Sequence, residues 1–323
     1  MKVVKFDTVG GPDVLQYTDG YLAAPGPGEV QIRHHAIGLN YIDTYHRSGL
    51  YPLPLPSGIG LEASGVIEEL GANVKGFKVG DRVAYGTGPL GAYAEVRNFP
   101  ANRLVKLPKE IADETAAGMM LKGMTARYLL RATYKVKKGE TILLHAAAGG
   151  VGQIVSQWAK ALGARVIGVV GTEEKMAIAK QQGCAEVINS STDNIVARVR
   201  DLTDGKGVPV VYDGVGQATF AASLDCLSPR GMLVSFGNAS GPVKAFNLGE
   251  LASKGSLYVT RPTLFNYTST DEDFQETAED VLDVVKSGKV KIPVNQKYAL
   301  KDASQAHRDI EARKTTGTTV LLP

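Results

Sequence analysis

Cysteine is scarce in this sequence of 323 residues, with only Cys184 and Cys226 present. Two cysteines cannot build a disulfide framework, which argues against a small disulfide-stabilised secreted fold. Without histidine partners nearby in the sequence, they also cannot supply the tetrahedral nitrogen and sulfur ligands that zinc prefers. We therefore interpret both as reduced thiols in the core of a cytoplasmic protein.

Long apolar runs and blocks of like charge are also absent. No apolar stretch is long enough to span a bilayer, and the opening MKVVKFDTVG lacks the apolar core of a signal peptide. The net charge is only +3, and no basic stripe is interleaved with aromatic residues. We therefore expect neither a membrane partner nor nucleic acid as the main ligand.

Glycine, in contrast, is concentrated where a nucleotide site would use it. Thr141–His145 is an apolar run without alternation, typical of a parallel strand covered on both faces. A G-x-G-x-x-G pattern follows with alanine in place of its first glycine, and it opens a helix; we expect it to cradle a pyrophosphate. The cradle would consist of Gly149, Gly150, Val151 and Gly152. A purely structural turn is the alternative, but a second strand at Arg165–Val170 favours a dinucleotide site.

The end of that second strand indicates which dinucleotide is bound. An NAD site usually has a carboxylate there, which accepts a hydrogen bond from the ribose 2′-hydroxyl. This chain instead has Gly171 and Thr172, with no carboxylate before Glu173, and Lys175 follows within a turn. An ammonium group attracts a 2′-phosphate, so the sequence favours NADPH over NADH. The alternative is that Lys175 is an ordinary solvated helix residue.

The strand pattern predicts two kinds of domain. Short strands separated by glycine and proline precede residue 115 and indicate a mostly β, antiparallel, barrel-like domain. These strands are expected at Val3–Phe6, Val30–Ala36, Val66–Gly71, Val79–Tyr85 and Gly91–Val96. From residue 141 onward strands alternate with helices, which predicts an α/β fold with a doubly wound parallel sheet. Its later strands are expected at Glu186–Asn189, Val208–Asp213 and Met232–Asn238.

Strand ends and the C-terminal segment complete the predicted organisation. In an open parallel sheet the strand ends line the ligand crevice, so we expect the nicotinamide half beside Val215, Gly216, Phe236, Gly237 and Asn238. Helices are expected at Asp271–Ser287 and Ala303–Ala312, and a last strand at Thr319–Leu322. We predict two domains. Residues 1–123 and 261–323 together form the first domain, and residues 124–260 form the cofactor-binding domain between these two segments.

Several motifs resemble those of a known superfamily. They are Ile37–Asp43 (IGLNYID), Gly58–Gly65 (GIGLEASG), Val79–Val83 (VGDRV), His145–Gly152 (HAAAGGVG) and Val210–Gly216 (VVYDGVG). End to end, the chain resembles the medium-chain dehydrogenase/reductase superfamily, and within it the zinc-free NADPH:quinone oxidoreductases related to zeta-crystallin. The resemblance implies a GroES-like catalytic domain beside a Rossmann-type domain, with NADPH in the cleft between them. It also implies a homodimer formed through the edge stretch Leu257–Thr260.

The resemblance makes the missing zinc ligands informative. Zinc-dependent alcohol dehydrogenases of this superfamily use an early cysteine, a G-H-E histidine and a later cysteine. Here Asn40 stands where the first cysteine is expected, and Leu61 replaces the histidine. Without a Lewis acid, alkoxide stabilisation loses its main source. This favours hydride delivery to an electron-poor acceptor, either a quinone or an α,β-unsaturated carbonyl.

The resemblance also suggests site residues. Asn40, Tyr45 and Tyr51 are implied around the acceptor, and Thr125 against the nicotinamide. For the two tyrosines the alternative is ordinary packing, and for Thr125 it is a helix N-cap at the domain junction. Further cofactor contacts are implied at Ser190, which stands where relatives often have tyrosine, and at Arg261 and Arg313, which could equally be surface charges. His145 is interpreted as a buried histidine at a strand end, because no Ser or Asp partner is evident in the sequence.

Three functions remain open from the sequence. The leading hypothesis is an NADPH-dependent quinone reductase, and the nearest alternative is a zinc-free NADPH-dependent enone or alkenal reductase. The acceptor pocket would separate these two enzymes, and the sequence does not resolve it. The non-enzyme alternative is an NADPH-binding structural or RNA-binding protein like the crystallins, although the modest charge argues against RNA.

Overall fold

The computed structural model describes all 323 residues, and the chain forms two compact units. Unit 1 comprises Met1–Met124, Thr268–Lys286 and Ile292–Pro323; unit 2 comprises Thr125–Tyr267 and Ser287–Lys291. No helix has both the length and the apolar character that a membrane crossing would need.

The chain contains sixteen strands and ten α-helices. The strands are β1 (Lys2–Phe6), β2 (Gln16–Asp19), β3 (Glu29–Leu39), β4 (Ser57–Gly58), β5 (Glu62–Leu70), β6 (Arg82–Tyr85), β7 (Val96–Pro100), β8 (Val105–Lys106), β9 (Thr141–His145), β10 (Arg165–Val170), β11 (Glu186–Asn189), β12 (Val208–Asp213), β13 (Leu227–Ser235), β14 (Tyr258–Thr260), β15 (Val294–Ala299) and β16 (Thr318–Leu322). The helices are α1 (Tyr41–Ser48), α2 (Asp113–Tyr128), α3 (Gly150–Ala161), α4 (Glu173–Gln181), α5 (Ile195–Leu202), α6 (Phe220–Asp225), α7 (Gly249–Ser253), α8 (Leu264–Tyr267), α9 (Asp271–Lys286) and α10 (Ala303–Glu311).

Unit 1 is built around a sheet in the order β15-β16-β3-β5-β6-β8, with β7 also paired to β3. All pairings are antiparallel except β15 with β16, and β2-β1-β4 form a small separate sheet. The core contains Ile32 and Ile37 of β3, Phe99 of β7 and Leu321 of β16, all fully buried. The C-terminal strand therefore closes the sheet begun by N-terminal strands, and the mostly β fold is confirmed.

Two of the predicted strands of unit 1 differ in the structure. The segment predicted at Gly91–Val96 runs as a loop up to Val96, apart from a single bridge between Val3 and Ala94. Tyr93 in this segment is buried. The apolar residues that predicted a strand are therefore buried residues of a loop. The strand predicted from Val79 begins only at Arg82, because Gly80 adopts a left-handed φ of 89° in a tight turn.

Unit 2 contains an all-parallel sheet in the order β11-β10-β9-β12-β13-β14. The central strand β9 has Ile142, Leu143 and Leu144 fully buried, as its unalternating pattern predicted. The strand order reverses between β9 and β12, where the carboxyl ends of a doubly wound sheet open a ligand crevice. The predicted α/β fold with a doubly wound parallel sheet is confirmed.

The C-terminal elements also follow their sequence patterns. Helix α9 buries Phe274, Ala278 and Val281 on one face, and its first turn carries three acidic residues that favour a helix N-terminus. Helix α10 and strand β16 lie where helical and strand patterns predicted them. All three elements belong to unit 1.

Candidate functional site

The carboxyl edge of the unit 2 sheet gathers the residues predicted to bind a dinucleotide. Because all six strands are parallel, their carboxyl ends meet at one edge. The predicted residues that come after these ends are Gly149–Gly152 after β9, Gly171 and Thr172 after β10, Ser190 after β11, Val215 and Gly216 after β12, Phe236, Gly237 and Asn238 after β13, and Arg261 after β14. Positions that are distant in the sequence are therefore neighbours in the fold.

The glycine turn leads directly into α3. Gly149 is the N-cap residue, and the helix begins at Gly150. A Cβ on Gly152 would lie 2.3 Å from the carbonyl oxygen of Ala146, so only glycine lets the helix pack this closely against the turn. The first turn of a helix leaves backbone N–H groups without intrahelical partners, and the helix dipole adds positive potential there. The arrangement can therefore hold a pyrophosphate.

The end of β10 is free of carboxylates, and α4 begins beside it. Thr172 is the N-cap residue of α4, and its Oγ1 accepts a hydrogen bond of 3.4 Å from the backbone N–H of Lys175. Lys175 therefore lies in the first turn of α4, and it is partly buried. Gly171 has open space around its Cα, with no atom within 4 Å of an added Cβ. The end of β10 can therefore accommodate a phosphate group beside the ammonium of Lys175.

At the end of β12, Asp213 organises the following turn. Its carboxylate accepts hydrogen bonds from the backbone N–H of Val215 at 2.8 Å and of Gly216 at 3.1 Å. The hydroxyls of Thr219 and Ser223 donate to its other oxygen at 2.7 and 2.8 Å. Asp213 is 1% exposed, so four donors offset the cost of burying its charge. No role for Asp213 was predicted from the sequence, although an aspartate between a buried strand and a glycine could have signalled it.

His145 belongs to a buried hydrogen-bond network whose other members are distant from it in the sequence. Its Nε2 lies 3.0 Å from Oγ of Ser223, which in turn donates to Asp213. The expectation that His145 lacks a Ser or Asp partner is therefore wrong, because the partners come from strands and helices distant in the sequence. His145 is 1% exposed, as predicted, and burial lowers its pKa below the ordinary value. The Ser223 hydroxyl donates its one proton to Asp213. Nε2 of His145 is therefore the donor in the contact with Oγ of Ser223.

The remaining strand ends pack closely or contact the backbone. A Cβ on Gly237 would lie 2.4 Å from the carbonyl oxygen of Gly214, so the turns after β12 and β13 are in contact. The hydroxyl of Ser190 donates to the carbonyl oxygen of Val170 at 3.1 Å, which links the ends of β10 and β11. Arg261 is exposed, and one of its guanidinium nitrogens donates to the carbonyl oxygen of Pro262 at 3.1 Å.

In unit 1, the three residues predicted around the acceptor lie on or beside helix α1. They are Asn40, Tyr45 and Tyr51. Asn40 is the buried N-cap residue of α1, and Tyr45 lies within the helix. The ring of Tyr45 packs edge-on against Tyr41 and Tyr51, with centroid distances of 5.5 and 5.1 Å. The backbone N–H of Tyr51 donates to the carbonyl oxygen of Tyr45 at 3.1 Å. The structure therefore brings Tyr45 and Tyr51 together in one aromatic cluster.

Asn40 also belongs to a buried charged cluster. Its Nδ2 donates to Oε2 of Glu62 at 2.7 Å, and the ammonium of Lys122 donates to the same oxygen at 3.1 Å. The backbone N–H of Leu121 donates to Oε1 of Glu62 at 3.0 Å. Glu62 is completely buried, so the neighbouring ammonium and the two N–H donors stabilise its carboxylate.

A second buried network begins at Asp43 in α1. Its Oδ2 accepts from the backbone N–H of Asn40 at 2.9 Å and from the hydroxyl of Tyr93 at 3.0 Å, whereas Oδ1 is buried without a partner. The Tyr93 hydroxyl also contacts Nε2 of His307 at 3.1 Å, and Nδ1 of His307 accepts from Arg47 at 3.1 Å. Burial is the main cause that raises the pKa of Asp43 to about 7, and it lowers the pKa of His307 to about 3.

The remaining predicted residues are Thr125 and Arg313. Thr125 is buried in α2, which begins twelve residues earlier at Asp113, so the alternative of a helix N-cap is wrong. Helix α2 begins in unit 1, and Thr125 is the first residue of unit 2. Arg313 follows α10 in unit 1, is exposed, and adopts a left-handed φ of 58°.

Comparison with known proteins extends the resemblance over the whole chain. Residues 26–109 match the alcohol dehydrogenase GroES-like domain, and residues 150–284 match the zinc-binding dehydrogenase family. The chain is 56% identical to a quinone oxidoreductase of Pseudomonas aeruginosa, covering 100% of this chain and 99% of that protein. It is 47% identical to a 2-haloacrylate reductase of a Burkholderia species, covering 97% and 96%. A crystal structure of Escherichia coli quinone oxidoreductase complexed with NADPH matches it with a TM-score of 0.98 at 50% identity over 100% of both chains.

Proposed function

The chain belongs to the quinone oxidoreductases of the medium-chain dehydrogenase/reductase superfamily, and on that premise we propose that it reduces quinones with NADPH. The observation that carries the proposal is the carboxyl edge of the unit 2 sheet. There the glycine turn, the N-terminus of α3 and an acid-free strand end beside Lys175 occur together. This is the combination that suits a dinucleotide with a 2′-phosphate.

Each strand end has a role in the proposed cofactor site. The first-turn N–H groups of α3 hold the pyrophosphate, and the Lys175 ammonium pairs with the 2′-phosphate. Gly171, Thr172 and Ser190 would lie beside the adenosine ribose, and Val215, Gly216, Phe236, Gly237 and Asn238 would contact the nicotinamide half, because these residues follow the carboxyl ends of parallel strands. Arg261 and Arg313 are candidates for further phosphate or substrate contacts.

The chemistry at the acceptor is a hydride transfer completed by a proton. When bound, NADPH supplies the hydride. By resemblance, the hydroxyls of Tyr45 and Tyr51 would hold the quinone oxygen on which negative charge develops, and Asn40 and Thr125 would hold the nicotinamide. The hydride adds two electrons and one hydrogen nucleus, so one further proton, taken from water, completes the hydroquinone.

We propose that this reaction proceeds without zinc, although the matched family is named for zinc binding. The residues do not form a zinc site: nowhere in the chain do three His, Cys, Asp or Glu side chains come together as metal ligands. Asn40 and Leu61 stand where a cysteine and a histidine would be needed. Exhaustive chelation should leave turnover unchanged, and activity that is lost and then restored by zinc would contradict this proposal.

A second candidate function is reduction of an activated carbon–carbon double bond. Its support is the 47% identity to a protein named 2-haloacrylate reductase, which spans nearly the whole chain. The same cofactor site would serve both reactions, because each begins with hydride transfer to an electron-poor carbon or oxygen. Only the acceptor pocket would differ.

The test is NADPH consumption by the purified protein with a small quinone and an α,β-unsaturated ketone, assayed side by side. The proposal predicts rapid turnover with the quinone and NADPH, and far slower turnover when NADH replaces NADPH. Turnover of the ketone alone would select the second candidate. No turnover of either acceptor, with NADPH still bound, would contradict both.

We further propose that the protein is a cytoplasmic homodimer. Strand β14 lies at the edge of the parallel sheet, and its Tyr258 is 58% exposed, which suits strand pairing between two copies. Both cysteines are buried free thiols, consistent with a reducing compartment. Light scattering on a Tyr258→Lys variant would test the dimer, because a charge at this edge should shift the mass to that of a monomer.

A further inference from the structure

Three buried side chains join the two strands between which the order of the unit 2 sheet reverses. His145 is the last residue of β9, and Asp213 is the last residue of β12. Nε2 of His145 donates to Oγ of Ser223 at 3.0 Å, and this hydroxyl donates to Oδ2 of Asp213 at 2.8 Å. Ser223 lies in α6, so a helix connects the carboxyl ends of two strands. We call these three residues the strand-end network.

The order of the three side chains excludes Ser223 as a nucleophile. In the triad of a serine hydrolase, the histidine accepts the serine proton and the aspartate accepts from the histidine. Here the serine donates to the aspartate and accepts from the histidine. Ser223 is also 0% exposed, and His145 and Asp213 are each 1% exposed. The strand-end network can therefore act only through the groups that it holds in place.

At one end, the network holds the turn that follows β12. Oδ1 of Asp213 accepts from the backbone N–H groups of Val215 at 2.8 Å and Gly216 at 3.1 Å. The carbonyl oxygen of Val215 accepts from the backbone N–H of Ser240 at 2.7 Å and from its hydroxyl at 2.9 Å. Both polar backbone groups of Val215 are thus bound inside unit 2. The position of this turn depends on Asp213, whose other oxygen is held by Ser223.

At its other end, the network begins next to the glycine turn. His145 directly precedes Ala146, which adopts a left-handed φ of 53°. The carbonyl oxygen of Ala146 accepts from the backbone N–H of Gly149 at 2.9 Å, and Gly149 is the N-cap residue of α3. The strand-end network therefore links the turn at the start of α3 to the turn after β12.

These two turns lie on either side of the point where the strand order reverses. A dinucleotide on a doubly wound sheet crosses that point, with its pyrophosphate at the glycine turn and its second half at the next strand ends. We infer that His145 and Ser223 are positioning residues, which hold the turn at Val215 and Gly216 at the spacing from the glycine turn that NADPH requires. This inference rests on the proposed function, which places NADPH at this edge.

The test compares NADPH with adenosine 2′,5′-bisphosphate, which carries the 2′-phosphate but lacks the nicotinamide half. In an S223A variant the strand-end network loses its central hydroxyl, so NADPH should bind about tenfold more weakly in calorimetry. The bisphosphate does not reach the turn after β12, so its Kd should change less than about twofold. A loss of general stability would not distinguish the two ligands in this way.

Substitutions of His145 test whether it acts through Ser223. H145L removes the N–H donor and should weaken NADPH binding by a factor similar to that of S223A. The H145L/S223A double variant should be no weaker than either single variant, because both interrupt the same hydrogen-bonded network. H145Q keeps an N–H donor and should recover most of the affinity for NADPH. Independent, additive losses for the two residues would contradict the inference.

A matched control removes a hydroxyl at the opposite end of β12. Oγ1 of Thr203 donates to the carbonyl oxygen of Val199 at 2.7 Å and accepts from the backbone N–H of Gly207 at 3.0 Å. Gly207 comes directly before β12, which begins at Val208. T203V should therefore bind both ligands within about twofold of wild type. Near-UV circular dichroism would establish that each variant is folded.

Amide hydrogen exchange tests the inference in the wild-type protein, without any substitution. The N–H groups of Val215 and Gly216 donate to a buried carboxylate, so both should exchange slowly in the ligand-free protein. In S223A they should exchange about tenfold faster. The inference is wrong if these amides are unprotected in wild type. It is also wrong if folded S223A binds NADPH like wild type, or if it loses affinity for both ligands equally.

Quinone turnover separates this inference from the proposed function. If S223A weakens NADPH binding selectively but wild type reduces no quinone, the assignment of the acceptor fails while the positioning role of Ser223 stands. If wild type reduces quinones rapidly and S223A binds NADPH like wild type, the positioning role fails while the proposed function stands.

Discussion

Asp43 should make the protein less stable as the pH rises, and the substitution Asp43→Asn should remove this dependence. Burial, the largest cause, raises the pKa of its carboxyl from the ordinary 3.8 to about 7 in the folded protein. The folded state therefore keeps a proton that the unfolded state releases from about pH 4 upward. The stability that Asp43 contributes is complete below pH 4 and is lost as the pH rises through 7.

The size of the effect follows from the shift in pKa. Each pKa unit corresponds to about 1.4 kcal/mol, so the full loss approaches about 4 kcal/mol. Between pH 5 and pH 8 the expected decrease is about 2 to 3 kcal/mol, obtained by integrating the difference in bound protons. The asparagine side chain of the D43N variant cannot titrate, but it can still accept hydrogen bonds from Tyr93 and from the backbone N–H of Asn40.

Four buried histidines act in the opposite direction, and His145 is one of them, because burial lowers the pKa of each. Burial lowers the pKa of His34 and His307 to about 3 and of His46 to about 4. Because the unfolded chain binds their protons below pH 6.5, their contribution to stability is lost as the pH falls. The wild-type profile mixes both effects, so only the difference between wild type and the D43N variant isolates Asp43.

The assay is urea unfolding followed by circular dichroism at several pH values from 5 to 8. The free energy of unfolding of wild type, relative to that of D43N, should decline by the stated amount across this range. Asp7→Asn provides the matched control, because Asp7 is exposed in the same unit and should leave the profile unchanged. Parallel profiles for wild type and D43N would refute the assignment of a raised pKa to Asp43.

Three further predictions concern the proposed cofactor site. Lys175→Ala should weaken NADPH binding at least tenfold more than NADH binding in fluorescence titrations, and equal losses would remove Lys175 from the phosphate site. Gly152→Ala should abolish binding of either dinucleotide, because its Cβ would meet the carbonyl oxygen of Ala146; unchanged binding in calorimetry would contradict the packing. Asp213→Asn should weaken NADPH binding because Val215 and Gly216 lose a charged acceptor, whereas a Kd equal to that of wild type would show that their turn holds its shape without the carboxylate.

Much of the fold could be predicted because its signals are local. The unalternating Thr141–His145 run predicted a strand buried on both faces, and the glycine turn predicted where α3 begins. The loop at Gly91–Val96 could not be distinguished from a strand, because the pattern reports burial rather than backbone conformation. Local patterns therefore predicted the elements better than their exact limits.

The polar clusters could not be predicted because their members meet only through the topology. Glu62 and Lys122 are 60 positions apart, and His145 and Ser223 are 78 apart, so no local spacing connects them. Buried polar groups must find partners, but the sequence does not say which strand or helix supplies them. The residues assigned to the acceptor came from resemblance alone and stay predictions.

The central claim is NADPH-dependent quinone reduction without a metal. The most direct measurement mixes metal-free protein carrying one equivalent of NADPH with one equivalent of a quinone and follows NADPH absorbance in a single turnover. The account predicts rapid, complete oxidation of NADPH and one hydroquinone formed for each NADPH consumed. Oxidation that requires added zinc, or no oxidation of bound NADPH by any quinone, would contradict it.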